Sequence, residues 1–125
     1  MEVYKHVYTV ESIDKHKKVF NHLSKLYLTD QLYKITIDYH SLLFKPKVND
    51  KIEIVIYDGI LVDKEVPECY EYVLQGHCYN NEVVDGLRTV SVSFGGMLME
   101  LVADEKDVKL AVDCQDVGMA LRILR

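Results

Sequence analysis

Ser91 and Ser93 stand just before Gly95-Gly96, and a serine among glycines is one route to an activated nucleophile. That chemistry needs Gly-x-Ser-x-Gly on a strand that turns into a helix. Here apolar residues alternate on both sides of the glycine pair, so the turn joins strand to strand and the serines read as a polar outer face. Three cysteines (Cys69, Cys78, Cys114) and five histidines (His6, His16, His22, His40, His77) could supply metal ligands by count. No cysteine pair has Cys-x-x-Cys spacing, and His77 and Cys78 are strand neighbours whose side chains point to opposite faces. No metal site and no cofactor is expected. The odd cysteine count at irregular spacings argues against a secreted disulfide framework, so the thiols read as reduced and mostly buried small hydrophobes. The carboxylates gather in two stretches, Asp58 to Glu68 and Asp104 to Asp107, which read as solvated loops.

Nine tyrosines and three phenylalanines could form stacking platforms for a single nucleic-acid strand. The basic complement for such a groove is thin. Only Lys15, Lys17 and Lys18 cluster, and the arginines are Arg88, Arg122 and Arg125. Tyrosine and methionine also favour protein contacts. The stretch Phe94-Gly95-Gly96-Met97-Leu98-Met99 offers a turn with an apolar surface, which makes protein docking the better-supported use of these residues.

Any such surface needs a scaffold, and composition bounds it. The chain has 125 residues, 49% hydrophobic and 28% charged, which is one soluble domain over 1–125 with a core of its own. Fifteen basic against twenty acidic residues leave a net charge of −5, the wrong sign for a free-standing duplex-DNA binder. No apolar run approaches the roughly 20 residues of a membrane span. Residues 1–10 lack a signal-peptide pattern. An intracellular domain with no membrane partner is expected.

The dominant pattern has period two. Tyr33, Ile35, Ile37 and Tyr39 oppose Lys34, Thr36, Asp38 and His40. Ile52, Ile54 and Ile56 alternate with Lys51, Glu53 and Val55. Val90, Val92 and Phe94 oppose Thr89, Ser91 and Ser93, and Met97, Met99 and Leu101 oppose Leu98 and Glu100. Further strands are expected over Val3–Val10, Val19–Leu28, Tyr70–Tyr79 and Leu121–Leu124. Gly76 inside the fifth marks a bulge or a close approach. Gly95-Gly96 and Asp85-Gly86 fit two-residue hairpin turns. Asp14 to Lys18 reads as a charged loop and 58–69 as an acidic, mobile one. Helical periodicity is weak, with one short turn expected near Asp116–Ala120. About eight short strands with little helix predict an all-β fold, a closed antiparallel barrel or a sandwich; closure is attractive because it removes exposed edges.

Two blocks give this chain a family resemblance. Tyr70-Glu71-Tyr72-Val73-Leu74-Gln75-Gly76-His77-Cys78-Tyr79 is followed by Val90-Ser91-Val92-Ser93-Phe94-Gly95-Gly96-Met97-Leu98-Met99-Glu100-Leu101. Together they resemble the common small subunit eight of the eukaryotic nuclear RNA polymerases I, II and III. There an aromatic-Glu-Tyr-Val strand with a downstream Gly and Tyr precedes a strand ending in aromatic-Gly-Gly-Leu-Leu-Met. Val10 to Asp14 with Phe20 and Leu23-Ser24 is similar to the family's opening, Asn49-Asp50-Lys51-Ile52 to its Gly-Asp-Lys-Phe strand start, and Val112-Asp113 to its tail. Asn49 replaces the usual Gly and also tolerates positive φ. Lys25 replaces an Arg and keeps the charge without the planar fork. The acidic loop 58–69 is shorter than in typical members.

The resemblance implies an antiparallel OB-like barrel that acts as a non-catalytic structural subunit in the nucleus, nucleolus included. It implies docking on the largest polymerase subunit, with contacts to the core assembly subunits, and with nucleic acid met only indirectly through the complex. Phe94, Gly95, Gly96, Met97, Leu98 and Tyr79 are the candidate interface residues. Replacing Met97 or Leu98 with Asp is expected to release the chain without unfolding it. The alternative is a stand-alone OB-type single-strand binder.

Overall fold

A computed structural model describes residues 1–14, 21–31, 33–61, 66–110 and 115–125. Eight strands account for most of them: β1 (Glu2–Ile13), β2 (Leu23–Asp30), β3 (Tyr33–His40), β4 (Lys51–Asp58), β5 (Tyr72–Val84), β6 (Leu87–Phe94), β7 (Met97–Asp104) and β8 (Asp116–Leu124). They close into one antiparallel barrel in the order β1-β2-β3-β7-β6-β5-β8-β4, an OB-like architecture with no helix among the described residues.

The period-two pattern sorts side chains between interior and exterior. Tyr8, Leu26, Ile35, Ile37, Ile52, Ile54, Met99, Leu101, Met119 and Leu121 are fully buried and come from six of the strands. Each such side chain contributes about 1.5–3 kcal/mol on leaving water. Cross-strand register keeps the inward rows aligned, as Ile52↔Ile123, Ile54↔Leu121 and Ile56↔Met119 do between β4 and β8.

The turns follow the backbone freedom of their residues. Gly95 and Gly96 have φ of 63° and 98°, and Asp85 and Gly86 have 53° and 79°. Both central positions are left-handed, as the tight turn that matches strand twist requires. Asn49 sits at φ 77°, in the left-handed region that asparagine tolerates and glycine adopts freely.

Three expectations change. The turn near Asp116–Ala120 is extended backbone, the first half of β8, which lies between β4 and β5 and is buried on both faces. Gly118 weakens helix there because it serves something else: an added Cβ would lie 2.3 Å from Cγ of Leu61, which packs across the strand. The outward face of β4 is also covered. Val55, Tyr57, Tyr70 and Ala120 form a second small apolar cluster, joined by Leu61 and Val66. Finally, Cys69 is exposed and Cys78 only partly buried, because they lie on the covering segment and at the bulge of β5. Cys114 lies outside the described residues, as do Asp63, Glu65 and most of the Asp14–Lys18 loop. The described flanks of the 58–69 loop are pinned: Gly59 N–H donates to Asp116 O at 2.7 Å, and Leu61 N–H to Gln75 Oε1 at 2.9 Å.

Candidate partner-docking surface

The hairpin of β6 and β7 is built on a close approach. Gly76 of β5 has no room for a side chain, since a Cβ there would meet Ser93 O at 2.4 Å and the Phe94 ring at 2.5 Å. Gly76 is thus the close-approach glycine of the two readings its position allowed. Phe94 is 4% exposed, and its ring supports the turn from beneath. Gly95 and Gly96 are exposed at the turn, and Gly96 N–H donates to Ser93 Oγ at 3.3 Å. Met97 is partly buried and packs on the core, whereas Leu98 points out and is 44% exposed. Leu98 N–H donates to Asp38 Oδ2 at 3.0 Å, which ties the hairpin to β3.

Register brings Leu98, Ser93 and His77 into one row across β7, β6 and β5. Tyr79, 60% exposed, lies two residues along β5 at the register shift between Cys78 and Asn80. Leu98 and Tyr79 therefore face outward, while Phe94 and Met97 hold the same hairpin from inside. The placement of Met97 corrects one expectation, because an Asp there would enter the packed interior.

Several exposed apolar side chains escaped the reading of the sequence. Val83, Val84 and Leu87 flank the Asp85-Gly86 turn, Leu42 and Leu43 follow β3, and Val73 precedes the hairpin's level on β5. The signals were present: three apolar residues around a hairpin tip extend past any core, and the doublet Leu42-Leu43 sits in the turn that leaves β3 rather than on a strand face.

Polar chemistry gathers elsewhere, on β1. His6 Nε2 meets Asp30 Oδ2, Tyr33 donates its hydroxyl to Asp107, and the Tyr4 and Tyr8 hydroxyls bond each other at 2.5 Å. The His6 ring lies edge-on to Tyr8 and Tyr33 at 5.1 and 5.3 Å between centroids. Burial pushes the Tyr4 phenol up to about 12 and drives Tyr8 higher still. Both phenols stay protonated near neutral pH, so the Tyr4–Tyr8 pair works as interior hydrogen bonding, with His6–Asp30 and Tyr33–Asp107 closer to the surface. Among the described residues no three His, Cys, Asp or Glu side chains converge on a metal position, and no helix is long and apolar enough to cross a membrane.

A scan against protein families matches residues 5–117 to RNA polymerase Rpb8. The chain belongs to the RNA polymerase Rpb8 family. It is thus a subunit type of a multisubunit DNA-directed RNA polymerase, and its work is transcription. The match takes in all eight strands at least in part, and it includes Tyr79 and Phe94–Leu98. No curated protein matches the chain in a sequence search. Among solved structures the chain is similar to the cytoplasmic molybdate-binding protein ModG with molybdate bound, at 10% identity and a TM-score of 0.39, covering 96% of this chain and 92% of that one. Membership of the Rpb8 family, by contrast, rests on the sequence along nearly the whole barrel.

Proposed function

We propose that this Rpb8-family chain is a non-catalytic structural subunit shared by the nuclear RNA polymerases I, II and III. It docks on the largest subunit and the core assembly subunits, supports assembly and transcription, and meets nucleic acid only through the complex. It acts in the nucleus, including the nucleolus. The observation that carries this reading is that the family match spans both the β6–β7 hairpin, on which Leu98 stands exposed, and the neighbouring β5, on which Tyr79 does. An exposed tyrosine is a residue type enriched at protein interfaces, and the exposed Leu98 on the neighbouring hairpin extends the same outward face with apolar surface. The charge of −5 is reasonable for a subunit whose surface need not hold the template.

The test is affinity capture of the tagged chain from its own cell extract, with retained proteins identified by mass spectrometry. Stoichiometric recovery of large polymerase subunits is expected, and the number of largest-subunit types recovered measures how widely the chain is shared. Leu98→Asp and Tyr79→Asp are expected to abolish that recovery while leaving the barrel folded, because both side chains already face water. Recovery of both variants at wild-type level would overturn the hairpin as the docking site.

A further inference from the structure

The barrel's circuit of paired strands is not uniform along its height. Over Tyr72–Gly76, β5 pairs with β8 alone, and over Asp38–His40, β3 pairs with β2 alone. The strands that separate β3 from β5 elsewhere, β6 and β7, turn back at Gly95-Gly96. A seam results, with two strand edges facing each other. Side chains cross it. His40 N–H donates to Tyr72 Oη at 3.0 Å, and Phe44 stacks on Tyr72 at 5.2 Å while meeting Tyr39 edge-on at 6.0 Å.

The two edges are not equivalent. On β3, His40 is committed: its N–H goes to Tyr72 and its carbonyl accepts from Leu43 and Phe44 N–H at 3.0 and 3.1 Å. On β5, no loop or turn main-chain bond among the described residues reaches Tyr72–Gly76. An unpaired strand edge is a template for another strand. Exposed apolar side chains lie on this edge and on the elements that flank the seam: Val73, 47% exposed, on β5, Leu98 on β7, and the doublet Leu42-Leu43 after β3. The neighbouring cations are engaged, Lys25 with Asp38 at 3.4 Å and Arg125 with Glu71 at 2.5 Å. The seam therefore offers main-chain pairing and apolar contact with its charges neutralised in place. That suits an extended apolar peptide and does not suit a phosphate backbone.

We propose that an extended, apolar segment of a neighbouring polymerase subunit adds as a strand to the edge of β5 over Tyr72–Gln75, short of Gly76, which β6 already approaches. This rests on the reading that the chain docks on another subunit through its hairpin, and it names how the docking is made. Main-chain bonds along β5 supply the affinity, and alternate side chains pack beside Val73 and Leu98.

Amide hydrogen exchange of the full chain, free and within the intact polymerase, tests it. Assembly is expected to slow exchange by at least about tenfold at one or more amides of Val73, Leu74 and Gln75. A Val73→Asp variant is expected to weaken recovery with the polymerase while the free barrel keeps its unfolding midpoint. If the chain co-purifies and residues 94–98 are protected but 72–75 exchange as in the free chain, strand addition is wrong and hairpin docking stands. If the chain does not co-purify with any polymerase subunit, the docking reading itself fails and the proposal falls with it.

Discussion

The outer faces of two strand pairs are treated in opposite ways. On β4 and β8 the exterior is sealed by the chain itself: Leu61, Val66 and Tyr70 lie over Val55 and Ala120, and Glu53 is 9% exposed between them. Tyr70 donates its hydroxyl to Glu53 Oε1 at 2.7 Å, Arg122 donates to the same oxygen at 2.9 Å, and the Arg122 guanidinium sits over the Tyr70 ring at 5.4 Å. On β5, β6 and β7 the exterior carries Val73, Tyr79 and Leu98 largely exposed, with no second apolar layer over them among the described residues. A chain this short can cover one such face and leave another for a partner. The comparison separates a face that the chain stabilises by covering it from one that it leaves to solvent, and two glycines, Gly118 and Gly76, mark the close contacts on each.

The largest expected effect comes from the open side. Gly76→Ala puts a methyl against the Ser93 carbonyl and the Phe94 ring, both fixed by strand pairing. Relief requires moving β5 from β6, so a loss of about 3 kcal/mol is expected in urea unfolding. A loss below about 1 kcal/mol would mean that the hairpin is not held by this contact.

Next comes the clamp on the sealed side. Tyr70→Phe keeps the ring but leaves the enclosed Glu53 carboxylate one donor short, at an expected cost of about 1–2 kcal/mol near neutral pH. The effect has a pH signature. The hydrogen bond from Tyr70, and after it the bond and charge of Arg122, hold the Glu53 carboxyl below the usual glutamate range. A depressed folded-state value means that the clamp's contribution is complete above the unfolded pKa, about 4.3, and is lost as pH falls through the lower folded value. The difference between wild type and Tyr70→Phe is therefore expected to be constant at neutral pH and to shrink below about pH 4. A difference that grew on acidification would contradict the sign.

Gly118→Ala tests the same face more gently. The atoms it would meet belong to the Leu61 side chain, which can rotate, so about 1 kcal/mol is expected with the barrel's register intact. Near-equal costs at Gly76 and Gly118 would erase the distinction between a strand-held and a loop-held contact.

The barrel was legible because its signal is local. Ile35 and Ile37, Ile52 and Ile54, or Val90 and Val92 each declare a buried face within a few residues, and Gly95-Gly96 and Asp85-Gly86 declare their own turns. The second layer was not legible, because it depends on residues distant in sequence. Glu53 looks like a solvent-facing member of an alternating strand until Tyr70 and Arg122 arrive over it from 17 and 69 residues away. Gly118 looks like a helix-weakening residue until Leu61 crosses it. The hairpin's residues were found as a block and alternation already divided them, Phe94 and Met97 to one face and Leu98 to the other, but the candidate interface drew on both faces. The seam between β3 and β5 is a property of closed topology, invisible before strand order is known.

The smallest effect probes that seam directly. Tyr72→Phe removes the hydroxyl that accepts the His40 N–H and leaves the ring stacked on Phe44. His40 is only half-buried, so water can take over the lost bond, and less than about 1 kcal/mol is expected in unfolding. The informative readout is local. With the crossing bond gone, the His40 amide is expected to exchange several-fold faster while amides paired between β5 and β8, such as those near Leu121, stay protected. Uniform acceleration around the barrel would mean that the seam is part of the cooperative core, and the contrast between a self-sealed face and an open one would then have to be drawn elsewhere on the molecule.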